Sequence, residues 1–256
     1  MTTASVIAVS GPSGSGKTTW ISQLLNDSPA QAFYLCPGSS NISVDLARIG
    51  YRFPQVQVIS EDQAQQTLTS LPDLAMVILE LGFHLDLNSP LITSLPSHRV
   101  AVLPPNLTDS EWQDWADEII PGNDIVVDPA SKPPQLWCTS LTGQVFDPSS
   151  LDEVLIELTG GAYGNVQRVK GIFEMPDGRA FYVDFVEGLP GLEYTELNLP
   201  PWLEGRPHRF SGIEVVGQNL EQATIAQAFL DSCLSDGAIA QYQQHYQTLP
   251  QEVFTR

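Results

Sequence analysis

Gly11-Pro12-Ser13-Gly14-Ser15-Gly16-Lys17-Thr18 matches the pattern G-x-x-x-x-G-K-[ST] at every defined position. In such a loop the glycines let backbone N–H groups turn inward on phosphate oxygens, the lysine reaches the outer phosphates, and the final hydroxyl ligates Mg²⁺. The flanking sequence suits that role. Ser5-Val6-Ile7-Ala8-Val9 reads as a buried strand entering the loop, and Thr18-Thr19-Trp20-Ile21-Ser22-Gln23-Leu24-Leu25 as the helix leaving it. Such a helix aims its N-terminal dipole and free N–H groups at the phosphates. Gly11, Ser13, Gly14, Ser15, Gly16, Lys17, Thr18 and Thr19 are therefore the expected binders of a nucleoside triphosphate, GTP or ATP, with Mg²⁺ on Thr18.

Composition narrows the partners. With 11 Lys and Arg against 30 Asp and Glu, the formal charge of the 256-residue chain is −19, which argues against nucleic acid and anionic membrane surfaces. The first 165 residues hold five basic and eighteen acidic side chains, so a polyphosphate is hard to retain there without Lys17 and a divalent cation. No apolar run approaches a membrane span, and the residues before the first strand leave no room for a signal peptide, so a cytoplasmic protein is expected. The three cysteines, Cys36, Cys138 and Cys233, suggest no disulfide framework.

The alternation of short apolar runs with polar or amphipathic stretches predicts an α/β fold, a mostly parallel sheet with flanking helices, over 1–160. Its predicted strands are 5–10, 32–36, 56–59, 75–81, 99–103, 124–127 and 136–139; its predicted helices are 17–26, 61–70, 109–119 and 150–158. Thr159-Gly160-Gly161-Ala162-Tyr163-Gly164 reads as a linker. Beyond it, strands over 166–174, 180–186, 192–197 and 208–216 and an amphipathic helix over 220–234 predict a small α+β domain over 166–240. A tail with little pattern, 241–256, follows.

The order of these features resembles the CobW-type GTPases. The glycine-rich loop carries the resemblance, with the strand Met76-Val77-Ile78-Leu79-Glu80-Leu81-Gly82, the segment Arg168-Val169-Lys170-Gly171-Ile172-Phe173, and Ile213-Glu214-Val215-Val216-Gly217-Gln218-Asn219-Leu220. It implies a GTP-dependent protein with a CobW C-terminal-like second domain, in a family with several members linked to metal delivery. Two motifs of that family are missing. No Asn-Lys-x-Asp occurs; the stretch expected to carry it reads Asp124-Ile125-Val126-Val127-Asp128-Pro129, where Asp128 could serve as a substitute acceptor or cap a turn. The family's Cys-x-Cys-Cys is reduced to Cys36, and His84, His98, His208 and His245 lack ligand spacing, so no zinc site is expected.

Within the resemblance, Glu80 occupies the acidic position that holds a Mg²⁺-bound water or orients the attacking water. Asp45 falls where the first switch carries an aspartate, or simply begins a helix. Gly82 would sense the γ-phosphate, or merely end a strand. Lys17, Glu80 and Asp45 are thus the expected catalytic set, with Thr18 and Glu80 at the metal. Arg48 and Arg52 are the nearby cations, and neither is an obvious arginine finger. The expected function is Mg²⁺-dependent binding and slow hydrolysis of a triphosphate by a switch or chaperone acting on a client protein. Phe173, Phe181, Tyr182 and Phe185 are a candidate docking surface, although they alternate and most of them are expected in the core. The alternative is a non-hydrolysing nucleotide-binding scaffold with relaxed base specificity.

Overall fold

The computed structural model describes residues 4–27, 31–38, 43–93, 97–127 and 132–248. The chain divides into two compact units, Met1–Lys132 and Pro133–Arg256.

The first unit runs β1 (Ser5–Ser10), α1 (Lys17–Asp27), β2 (Ala32–Leu35), α2 (Val44–Arg52), β3 (Gln57–Ile59), α3 (Glu61–Thr69), β4 (Met76–Glu80), α4 (Pro90–Thr93), β5 (His98–Leu103), α5 (Glu111–Trp115) and β6 (Glu118–Pro121). Its six strands lie in the order β3-β2-β4-β1-β5-β6, every pair parallel. Parallel strands buried on both faces read as continuous apolar runs rather than alternating ones, which is why Val77-Ile78-Leu79 and Val100-Ala101-Val102 are apolar throughout. Alternate residues serve opposite faces. Val9, Tyr34, Ile78 and Val102 pack with Ile21 and Leu25 of α1 and Ile49 of α2. Ala8, Phe33, Leu35, Val77 and Leu79 pack with Leu81, Leu87 and Trp115 on the other side.

Two sequence expectations fail between 109 and 127. The predicted helix 109–119 is only α5, five residues long. Ser110 caps it, its hydroxyl accepting from the Gln113 amide while the Gln113 side chain accepts from the Ser110 amide. Ala116 is already extended at ψ 144°, and residues 118–121 pair with Val100–Leu103 as β6. Pro121 ends this edge strand, where its missing N–H deprives no ladder. The predicted strand 124–127 does not form.

The second unit comprises β7 (Gln135–Ser140), α6 (Pro148–Thr159), β8 (Asn165–Glu174), β9 (Ala180–Val186), β10 (Glu193–Glu196), β11 (Gly212–Gln218), α7 (Gln222–Asp231) and α8 (Asp236–Gln247). Its sheet has the order β10-β9-β8-β11-β7, antiparallel throughout. The boundary expected at 160 therefore lies near 132 instead. β7 pairs with β11 from Gly212↔Ser140 to Gly217↔Gln135, so the predicted strand 136–139 belongs to the second sheet. Helix α6 follows it into the same unit, with Leu151, Leu155 and Leu158 in that unit's core. The glycine-rich 159–164 stretch joins α6 to β8 within the unit.

Further sequence expectations are revised there. The strand expected over 208–216 begins at Gly212. Helix α8 begins at Asp236 and continues through the first residues of the expected tail, to Gln247; its Gln243 side chain donates to Gly205 O at 2.9 Å and accepts from Gly205 N at 2.8 Å, and 249–256 lie outside the described residues. Most of the candidate docking aromatics lie in the core, while Phe181 stays partly exposed. Phe173 is fully buried, Phe185 packs against the same cluster, Tyr182 is buried, and the Arg179 guanidinium lies over the Phe181 ring.

Phe146, Phe173 and Phe229 form the centre of that core, with ring centroids 5.3–6.4 Å apart. Phe173→Ala should destabilise the second unit by about 3–5 kcal/mol, since the packed cluster cannot collapse into the space left. Leu230→Ala, at a half-exposed site, should stay within about 0.5 kcal/mol. Urea unfolding followed by circular dichroism checks both.

Candidate functional site

The loop that follows β1 is shaped by close approach. Gly11 has φ +145°, and a Cβ there would lie 2.3 Å from the Val102 carbonyl oxygen of β5. No L side chain fits both the angle and the space. Gly14 and Gly16 also take positive φ, at 82° and 99°, before α1 begins at Lys17. Lys17 is buried, and its ammonium donates to Gly11 O at 2.9 Å and Pro12 O at 3.0 Å. The Ser15 hydroxyl is fully buried and makes no hydrogen bond among the described residues.

The parallel register sets Glu80 opposite Val9, so the last residue of β4 stands beside the start of the loop. The Thr18 hydroxyl donates to Glu80 Oε1 at 2.7 Å, and Asp45 Oδ1 lies 3.3 Å from the same hydroxyl. Asp45 is brought in by the first turn of α2, whose cap Ser43 accepts from the Leu46 amide at 3.2 Å. Thr18 is itself fixed by α1, where the Ser22 hydroxyl donates to its carbonyl at 2.7 Å. Thr18, Asp45 and Glu80 are exposed by 6%, 5% and 2%. Two buried carboxylates around one hydroxyl are stable as anions only with compensating charge or donors. One donor is Tyr34, whose hydroxyl gives a 2.7 Å bond to Glu80 Oε2. Burial first, then the Glu80 charge, pushes the Tyr34 phenol well above its ordinary pKa, so it remains a donor. The oxygen-only set of Thr18, Asp45 and Glu80 suits a hard divalent cation such as Mg²⁺. Among the described residues no three His, Cys, Asp or Glu side chains converge as metal ligands.

The opposite flank of the loop is held by the segment after β6. Asn123 donates from its side chain to Gly14 O at 2.8 Å and from its backbone to Ser15 O at 2.9 Å. Gly122 passes so close that a Cβ would sit 2.3 Å from Ser15 O. Asp124, the next residue, accepts from the Asn106 side chain at 3.2 Å, and both are exposed. The strand that reaches this flank is β6 rather than the expected 124–127, and Asp128 lies outside the described residues.

The sequence-predicted residues fall into two groups. Lys17, Thr18, Asp45 and Glu80 are brought together; Ser13, Gly14 and Gly16 are partly exposed along the loop, and Thr19 faces outward. Gly82 follows Leu81, whose N–H donates across to Val9 O beyond the end of β4, and the His84 imidazole packs against it, 2.6 Å from where a Cβ would be. The Arg52 guanidinium lies over the Phe53 ring, 5.3 Å from its centroid. Sequence reasoning missed Tyr34 and Asn123. The signal for Tyr34 was a hydroxyl inside an otherwise apolar strand, Ala32-Phe33-Tyr34-Leu35. For Asn123 it was a Pro-Gly-Asn turn at a strand end.

A parallel sheet whose central strand enters a glycine-rich loop, then a helix headed by Lys-Thr, with an acidic residue closing the adjacent strand, defines a P-loop fold. Residues 138–234 match the family model of the cobalamin synthesis protein cobW C-terminal domain, bearing out the resemblance drawn from Arg168–Phe173 and Ile213–Leu220. Among solved structures, the Zn(II)-bound YjiA GTPase from E. coli is similar at 13% identity, covering 91% of this chain and 99% of that one, with a TM-score of 0.31. A Zn(II)-bound triple mutant of YjiA GTPase is similar at 14% identity with the same coverage and a TM-score of 0.32. No curated protein matches the chain. No helix among the described residues is long and apolar enough to cross a membrane.

Asn123→Ala should lower the stability of the first unit by about 1 kcal/mol, the usual net worth of such a bond. Gly122→Ala should cost more, because its Cβ would be driven onto a backbone oxygen. Urea unfolding of both variants against wild type tests the ranking.

Proposed function

We propose that the first unit binds a nucleoside triphosphate with Mg²⁺ and hydrolyses it slowly, and that the nucleotide state controls docking to a client protein through the second unit, in the cytoplasm. GTP is the nucleotide that the CobW resemblance implies. The observation that carries this reading is the convergence of Thr18, Asp45 and Glu80 beside an intact Gly11–Thr18 loop.

Thr18 would hold the ion directly, with Glu80 and Asp45 bound directly or through water. When bound, Mg²⁺ supplies positive charge to the β- and γ-phosphates and neutralises what develops there during transfer. Lys17 exchanges its bonds to Gly11 O and Pro12 O for the outer phosphate oxygens, so the loop carbonyls hold its ammonium in place until a stronger acceptor arrives. The N-terminus of α1 adds its dipole. Glu80 or Asp45 orients the attacking water, and the chain's shortage of cations accounts for slow turnover, as in switch proteins awaiting an activator. With the outer phosphates at Thr18, on the β4 side of the loop, the nucleoside extends toward β5 and β6, where Asn106 and Asp124 meet. Their pairing offers both a carboxylate and an amide to a base edge, without the family's Asn-Lys-x-Asp.

That missing motif favours a second reading, a scaffold that binds nucleotide without hydrolysis and with little base preference. Calorimetry with GTP and ATP in Mg²⁺, alongside phosphate release, separates the two. The switch reading expects GTP binding reduced at least 100-fold by Lys17→Ala, and phosphate release above that variant's background. Equal affinity for GTP and ATP removes the GTP assignment; binding without phosphate release supports the scaffold.

A further inference from the structure

Tyr34 is among the largest side chains with no exposure at all. In β2 its neighbours are Ala32, Phe33 and Leu35, and the register sets it opposite Ile78 of β4. Alternation along the strands puts Tyr34, Ile78 and Glu80 on one face of the sheet, so the ring extends along β4 to the carboxylate two residues on. Phenylalanine would fill this part of the core as well, without a hydroxyl to satisfy. The hydroxyl is accounted for by its 2.7 Å bond to Glu80 Oε2, while Oε1 accepts from Thr18 at 2.7 Å.

We propose that Tyr34 is a positioning residue for the cation end of the site: its hydroxyl holds Glu80 Oε2, so that Glu80 presents only Oε1 toward Thr18 and the divalent ion. The inference rests on the reading of Thr18 and Glu80 as that end. A carboxylate tied at one oxygen cannot swing about its terminal torsion without breaking the bond to Tyr34. Glu80 is thereby committed to one orientation before the ion arrives, and the ordering is done by the fold rather than by the ligand. Tyr34 itself touches neither nucleotide nor ion; it acts through Glu80.

The test is Tyr34→Phe, which keeps the ring and removes the hydroxyl. Binding of fluorescent mant-GTP and mant-ATP is titrated with MgCl2, and phosphate release gives kcat and KM. Without Mg²⁺, nucleotide affinity should stay within about twofold of wild type. With it, the Mg²⁺ concentration for half-maximal binding should rise roughly five- to tenfold, and kcat should fall about tenfold with KM little changed, as expected for loss of a hydrogen bond to a charged group. In a Glu80→Gln background the same substitution should add nothing, because its effect passes through the carboxylate. A variant matching wild type in Mg²⁺ dependence and kcat overturns the proposal, as does an equal loss in the Glu80→Gln background, which would mark Tyr34 as packing alone. A wild-type protein with no Mg²⁺-dependent nucleotide binding overturns the reading of the site as well, and so is distinguishable from failure of the Tyr34 proposal by itself.

Discussion

The parallel pairing of β1 with β4, in the register that sets Val9 opposite Glu80, is the constraint on which the first unit's chemistry depends. Parallel strands end together, so both chains release their next residues at one edge of the sheet. β1 releases a loop that closes on Thr18, and β4 releases a carboxylate. A slip of one residue would turn Glu80 to the other face and bury it among Phe33, Val77 and Leu79. The apolar runs on both strands make that slip costly in itself, since each residue is matched to one of two packed layers. The same register lets Tyr34, one strand further out, reach the carboxylate from the far side. The polar cluster is thus a product of the hydrophobic pattern around it.

The loop is anchored on the other flank by backbone fit. Val102 O lies where a Gly11 Cβ would be, and Ser15 O where a Gly122 Cβ would be, so the loop rests on β5 and on the exit from β6 with no side chain between. Asn123 adds two hydrogen bonds to this contact. These contacts fix the loop's curvature independently of any ligand, which is the condition for backbone N–H groups to meet phosphate without reorganisation. The second unit obeys different rules. Its sheet is antiparallel, and its core centres on Phe146, Phe173 and Phe229.

Much of this was legible in the sequence because it is local. The motif at 11–18 needs only its own residues and the strand and helix beside it, and β1, β9 and α1 form where periodicity puts them. Glu80 and Asp45 were legible as positions along a resembled pattern. What was not legible depends on distant partners. Trp112, Trp115 and Ile119 have helical spacing, yet residues 118–121 find better use in extending the sheet beside β5, and a β-rich edge overrode the period. β7 reads as a strand whichever sheet receives it, and its partner Gly212–Gln218 lies more than seventy residues on, so the boundary between units was drawn too late. Tyr34 meets Glu80 across 46 residues and Asn123 meets Gly14 across 109; neither pairing leaves a mark within one stretch of chain.

The central claim is that the Thr18–Glu80 end of the loop takes the ion that accompanies a triphosphate. A crystal structure with Mg²⁺ and a non-hydrolysable GTP analogue tests it most directly. The account predicts an ion about 2.1 Å from the Thr18 hydroxyl oxygen, with Glu80 Oε1 bound to it directly or through one water and Lys17 moved from Gly11 O and Pro12 O onto phosphate oxygens. An analogue bound with its phosphates away from Gly11–Thr18, or an ion that leaves Thr18 and Glu80 bonded only to each other, would contradict it.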